Sequence, residues 1–324
     1  MKNKTLIIFF VILFSCEKEV KKYKPISSGR INSVSVIIDK SDWESNIGVE
    51  IRNAFASEFK GLPQIEETFN LNQIPYKAFT GFGRTARNII FINQKKDDKP
   101  KMVRDKFARP QLFLEIYGTD EKKIIENLKK VTKFSVDEFQ KGEIAENKRR
   151  IIKSPLNTTN LEESLSLNLT MPSAYSIFKQ EKQTSWFQKP LKNGTSNIII
   201  SELEVLQDAF NFFNLEDIIV IRDSLNKSFV PGRNKGSFMI TEEAYLPYFS
   251  SALVNGFPSI ETRGTWEVNK DFMGGPFLNY IINDTINNRL LYFEGFVFSP
   301  SQRKRDGIIE IESIIKSLKV FEKN

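Results

Sequence analysis

The sequence predicts an α+β chain of two related units, each a mainly antiparallel sheet covered by helices. Three observations carry this. Segments of strict apolar alternation, such as "SVSVIID" (33–39) and "SLSLNLTMP" (164–172), read as half-buried strands. Apolar residues at helical spacing, such as Ile47, Ile51 and Phe55, read as amphipathic helices. The strands run together with helices bunched between them, which favours an antiparallel sheet over a doubly wound one. Both halves also share an order of strand, helix, further strands with one containing "NII", and a long terminal helix. That shared order is the reason to expect related units.

The chain opens with a leader. Lys2 and Lys4 precede an apolar run from Leu6 to Phe14. That run is too short to cross a membrane core, which takes about 20 residues, but it fits the apolar region of a secretory signal. It ends in Leu13-Phe14-Ser15-Cys16, which resembles a bacterial lipobox, although Phe14 is bulkier than usual there. The expectation is a signal peptide over 1–15, cleaved before an acylated Cys16, and a lipidated tether over 16–30. A plain secretory signal with a coincidental cysteine is the rival reading. Two or more acyl chains make an anchor durable, each buried CH₂ adding about 0.8 kcal/mol. Lys18, Lys21, Lys22 and Lys24 would then lie near lipid headgroups.

The first unit is expected over 31–153. After strand 33–39, Ser41 and Glu44 have capping-box spacing before Ile47, and Gly61 with Pro63 ends that helix. Strands follow at 68–74, 87–93 and 111–118, then a long helix capped at Thr119-Asp120 with a stripe of Ile124, Leu128, Val131 and Phe134. Its charged end, "EIAENKRRIIK" (143–153), reads as a solvated arm. "TGFGRTARN" (80–88) could cradle an anion but matches no phosphate-binding fingerprint, and reads as a mobile turn. "DDKPK" (97–101) reads as a charged loop.

"SPLNTTNLEE" (154–163) marks the boundary, and the second unit is expected over 164–324. It opens on the alternating strand with Leu165, Leu167, Leu169 and Met171, then a short helix from Pro172. Strands at 184–189 and 196–202 lead to helical spacing over Leu203, Leu206, Phe210 and Phe213, and to a helix capped by Asn214. Strands at 260–268, 275–284 and 288–299 come next, the last two forming a hairpin around "NDTINN". The closing helix is expected to be capped by Ser301, to carry Ile308, Ile311, Ile315 and Leu318, and to begin in a solvated "QRKRD" (302–306).

Composition excludes much chemistry. The 324 residues contain no histidine and one cysteine. If that thiol is acylated, Ser-His-Asp and Cys-His catalysis and the usual zinc, copper and haem ligand sets are unavailable. No metal site, cofactor or catalytic residue is assigned. The net charge is +7, falling to +5 once Lys2 and Lys4 leave with the leader. Scattered basic residues on an exported chain make nucleic acid a poor partner. The 28 Phe and 40% apolar content suffice for a core without disulfides.

The densest functional stretch is "ITEEAYLPYFSSALVNGFPSIETRGTWEVNKDFMGGPFLNY" (240–280). Candidate ligand-binding residues are Glu242, Glu243, Tyr245, Glu261, Arg263, Trp266, Glu267 and Asp271. On "ETRGTWEV" the period of two puts Glu261, Arg263 and Glu267 on one face and Trp266 on the other. One reading is a strip that binds a polar ligand, with aromatics for a sugar or peptide. The other is a salt-bridged outer face over an aromatic core.

Together with "GRINSVSVIID" and "FEGFVFSPSQRKRD", this stretch resembles a Bacteroidota lipoprotein family, domain of unknown function 4837, over roughly 28–320. The closing aromatic strand and helix are similar in pattern to Mog1/PsbP-type α/β/α sandwiches. The family resemblance implies a cell-envelope lipoprotein, held on the outer membrane and facing the periplasm, and brings no catalytic residues with it. The expected function is non-catalytic, in binding another envelope protein or glycan or in envelope assembly and maintenance. The alternative is a carboxylate-dependent hydrolase of envelope glycan or peptide, which needs the acids of 242–271 to converge in one cleft.

Overall fold

A computed structural model describes residues 23–323, apart from 182 and 206. Cys16 and the leader lie outside the described residues. Among the described residues the chain is α+β, with one mixed sheet, one large antiparallel sheet and one two-stranded antiparallel sheet.

The first half contains β1 (Ser33–Ile37), α1 (Lys40–Trp43), α2 (Asn46–Phe55), β2 (Asn70–Ile74), β3 (Asn88–Asn93), β4 (Lys101–Arg104), β5 (Leu112–Tyr117) and α3 (Glu121–Ile151). Its five strands run in the order β2-β1-β3-β5-β4, and every pairing is parallel except β4 with β5. The expected antiparallel sheet is therefore corrected. β3 and β5 are near-continuous apolar runs, "NIIFIN" and "LFLEIY", buried on both faces as parallel strands are. The charged segment read as a loop enters edge strand β4. On one face α2 and α3 cover Val34, Val36, Ile90 and Leu114; on the other, Phe79 closes over Ile37, Ile89 and Phe113.

The second half contains α4 (Thr159–Leu165), β6 (Leu167–Asn168), β7 (Ser176–Glu181), β8 (Thr184–Leu191), β9 (Gly194–Glu202), α5 (Leu215–Phe229), β10 (Met239–Thr241), β11 (Tyr248–Val254), β12 (Phe257–Val268), β13 (Gly274–Asp284), β14 (Arg289–Phe298), α6 (Arg305–Ile315) and β15 (Lys319–Val320). Eight antiparallel strands form its sheet, in the order β10-β12-β13-β14-β9-β8-β7, with β11 also on β12. β14 shows the two-sided core: Leu291, Phe293 and Val297 join the cluster of α6, and Leu290, Tyr292 and Phe296 that of α5. The two halves thus differ in sheet type, and the expectation of related units is not met.

Several local expectations change. Leu165, Leu167, Leu169 and Met171 are all buried, yet only residues 167–168 form a strand, paired with β15. Their alternation marks burial beside α4 rather than a long strand. The segment after Pro172 enters strand β7, and the helical spacing from Leu203 yields only a short 3-10 turn, Gln207–Phe212. Asn214 does cap α5, in a reciprocal box with Asp217.

The end of α3 is not a solvated arm. Glu143 is fully buried and Glu146 2% exposed. Arg87, from the segment read as a mobile turn, donates from Nε and Nη2 to Glu143 at 2.9 and 2.8 Å. This helix of 31 residues is about 46 Å long. Ile124, Leu128 and Phe139 serve the first core, while Ile151 serves the second, so one helix is common to both.

Helix α6 is held at each end by the first half. Ser301 does not cap it. Instead Glu66 accepts from the backbone N–H of Lys304 at 2.6 Å and of Arg305 at 3.2 Å. At the other end Lys148 Nζ donates to the carbonyl of Lys316 at 2.6 Å. An acid at the N-terminus and a cation at the C-terminus both suit the helix dipole. Within the "QRKRD" segment Lys304 and Arg305 are interior, 5% and 1% exposed, while Gln302, Arg303 and Asp306 are exposed as expected. Residues of the expected tether also pack, Ser27 N–H donating to Arg109 O at 3.0 Å and Ser28 N–H to Thr85 O at 2.8 Å.

Candidate functional site

β12 carries Glu261 and Arg263 on the face turned to α6, as the period of two requires. Register sets Tyr280 of β13 opposite Glu261, and Tyr248 of β11 opposite Arg263. Arg263 donates from Nε to Glu261 and, at 2.8 Å, from Nη2 to Glu312 of α6. The Tyr280 hydroxyl also donates to Glu261, and Lys316 to Glu312. Phe59 of the first half lies over the guanidinium, 5.6 Å from ring centre to Cζ. Gly61 makes that approach possible: its φ is +84°, and a Cβ there would meet the Cβ of Arg263 at 2.9 Å.

This network floors a cleft of about 500 Å³ between the two halves. Val136, Gln140 and Ile144 of α3 form one wall; Tyr248, Phe249 and Ser250 of β11 form the other. The floor is electrostatically closed. Burial opposes the charge of Arg263, but Glu312 and Glu261 outweigh it and hold the guanidinium above its ordinary range. Burial also opposes ionisation of Glu312, and Arg263 and Lys316 overcome it, setting its pKa to about 2. Burial, then Glu312 and Glu261, pushes the Tyr280 phenol upward. At neutral pH the Glu312 carboxylate and the Arg263 guanidinium therefore stay charged and in contact.

The other expected residues lie elsewhere. Glu242, Trp266, Glu267 and Asp271 border a second depression of about 460 Å³, beside Gly274, Gly275 and Lys304. Trp266 is 3% exposed, with its ring 5.6 Å from Phe296 and 6.3 Å from Phe298. The Gly-Gly-Pro stretch is explained here: a Cβ on Gly275 would meet Val297 O at 2.1 Å. Glu243 and Tyr245 are exposed on the loop between β10 and β11. The structure thus brings Glu261 and Arg263 together, groups four others at a separate site, and leaves two outside both.

The most deeply buried charge pair escaped sequence reasoning. Arg222 of α5 donates from Nη2 to Glu294 of β14 at 2.8 Å and from Nη1 to Thr241 at 2.7 Å, with both charged side chains wholly buried. The guanidinium lies 3.8 Å from the ring centre of Phe277. A signal was present: Glu294 interrupts the apolar strand "LLYFEGFVF", and Arg222 sits four residues after Ile218 on the inward stripe of its helix. A charge in such a place needs a partner. Among the described residues no group of three or more acidic or cysteine side chains gathers as a metal site would require. No described helix is long and apolar enough to cross a membrane.

Comparison with known proteins assigns the halves separately. The model of Domain of unknown function (DUF4837) matches residues 154–317, just over half of the chain. A second model, Domain of unknown function (DUF8532), matches residues 27–152. The resemblance expected over 28–320 is therefore matched over 154–317 only, and the first half matches a different model. No curated protein matches. Among solved structures the chain is similar to LpqN of Mycobacterium tuberculosis, described as involved in cell envelope biogenesis. That likeness has 10% identity over 48% of this chain and 82% of that one, with a TM-score of 0.29. By the match over residues 154–317, this chain belongs to the DUF4837 family.

Proposed function

We propose that this chain is a cell-envelope lipoprotein, anchored through Cys16 on the outer membrane and facing the periplasm. In this reading it seats another envelope component in the cleft between its halves and catalyses no reaction there. The observation that carries it is the floor of that cleft. Glu261 and Glu312 are committed to Arg263, Tyr280 and Lys316, so the floor offers a fixed field rather than an acid and a base, with Glu58 and Lys60 as the other charged groups lining the cleft. Aromatic and aliphatic walls from β11 and α3 suit a glycan or an extended polypeptide. The anchor rests on Leu13-Phe14-Ser15-Cys16 alone. The hydrolase alternative has no observation in its favour, because its carboxylates divide between two depressions.

Two experiments test the parts separately. Inhibition of lipoprotein signal peptidase should leave a larger precursor, and an unchanged mass would remove the anchor. A photoreactive residue at Gln140 or Tyr248 should capture an envelope component in intact cells. The same residue at Phe134, exposed on α3 outside the cleft, should not. Equal capture at all three positions, or none, would remove the binding role.

A further inference from the structure

The two edges of the eight-stranded sheet are treated differently. At one end β7 is blunted: its pairing with β8 shifts register between Ile177 and Lys179, and Lys179 bridges Glu181 at 3.2 Å. Bulges and charges of this kind discourage further strands from adding. At the other end β11 reads "YFSSALV", with no charge and no proline. Among the described residues, β11 pairs only with β12.

The hairpin fixes which groups of β11 are free. Asn255 and Gly256, with φ of 49° and 93°, form a two-residue turn, so Val254 and Phe257 are a hydrogen-bonded pair. Alternation then directs the backbone N–H and C=O of Phe249, Ser251 and Leu253 outward. An extended backbone pairs with such a row, as a strand added to a sheet edge does. The flanking side chains are apolar and open: Phe249 is 40% exposed and Leu253 67%.

We infer that this edge pairs with the same strand of a second copy, antiparallel, about a two-fold axis through Ser251. The sequence is matched to itself in that register. Ser251 meets Ser251, Ser250 meets Ala252, and Phe249 meets Leu253, so the three free backbone pairs face one another and each exposed Phe249 covers an exposed Leu253. An uncharged strand opposes no like charge to its copy, and the contact closes on itself as a two-fold interface must. This inference shares Phe249 and Ser250 with the wall of the cleft but does not depend on the cleft reading, because its axis residue Ser251 lies outside that lining.

Sedimentation of the detergent-solubilised full chain should give twice the mass of one polypeptide at micromolar concentration. Ser251→Lys places two cations face to face on the axis and should return a single-chain mass with an unchanged circular dichroism spectrum. Mild oxidation of Ser251→Cys should yield a disulfide mapped to position 251 in both copies, because hydrogen-bonded antiparallel partners lie about 5.5 Å apart, within the bridging range of about 4.4–6.8 Å. A monomeric wild type, or a dimer that ignores Ser251→Lys and forms no such disulfide, overturns the proposal. So does a monomer that recruits only an extended peptide from another protein.

Discussion

Glu312 offers the sharpest test of the charges that floor the cleft. Its side chain is 7% exposed, between Arg263 and Lys316, and its pKa stands at about 2 against an ordinary 4.5. At 1.36 kcal/mol per pH unit, that displacement makes the carboxylate worth about 3 kcal/mol to the folded state. A carboxyl depressed on folding binds fewer protons folded than unfolded. Its contribution is complete above about pH 4.5 and disappears as the pH falls towards 2. Glu312→Gln keeps the shape and discards the charge. Urea unfolding should therefore find the variant about 3 kcal/mol less stable at pH 7, with the gap to wild type closing progressively below pH 4.5. A gap that stays constant from pH 7 to pH 2.5 would refute the electrostatic account and leave only lost packing or hydrogen bonding.

Two further outcomes follow from buried charges. Arg222→Met should cost about 3–5 kcal/mol, because Glu294 stays buried without its cation, and adding Glu294→Leu should recover most of that loss. Additive losses in that double-mutant cycle would contradict the pairing. Glu66→Ala leaves the N–H groups of Lys304 and Arg305 without their acceptor and should cost about 1 kcal/mol, as loss of a helix cap does. Hydrogen exchange should quicken at residues 304 and 305 while β3 keeps its protection; equal rates in both proteins would discount the cap.

Much of the element order was legible because local signals agreed with tertiary environment. Asp120 caps α3 and Asn214 caps α5 as their side chains predict, and β13 and β14 pair as a hairpin. Strand direction was harder to read. "NIIFIN" and "LFLEIY" announce burial on both faces, but periodicity does not say which strand is the neighbour or which way it runs. The alternation at 164–172 misled for a related reason, since burial at every second residue arises beside a helix and a short strand as readily as in a long one. The site was legible in part. Glu261 and Arg263 share a strand face by simple parity, whereas Glu312 lies 49 residues from Arg263 and only the packing of α6 joins them. The buried members of 143–153 and 302–306, such as Glu143, Lys304 and Arg305, read as solvated because their partners, Arg87 and Glu66, are supplied from far along the chain.

That separation has a temporal side. Glu66 waits for a helix 238 residues downstream. At about 5–20 residues per second, synthesis alone puts roughly 10 to 50 seconds between them. Until α6 is made, the floor of the cleft lacks Glu312, Arg263 lacks its second carboxylate, and Lys148 near the far end of α3 lacks its carbonyl partner. In the proposed binding role, a partner that recognises the closed cleft would meet that surface only on chains made through α6, because Glu312 is missing until then.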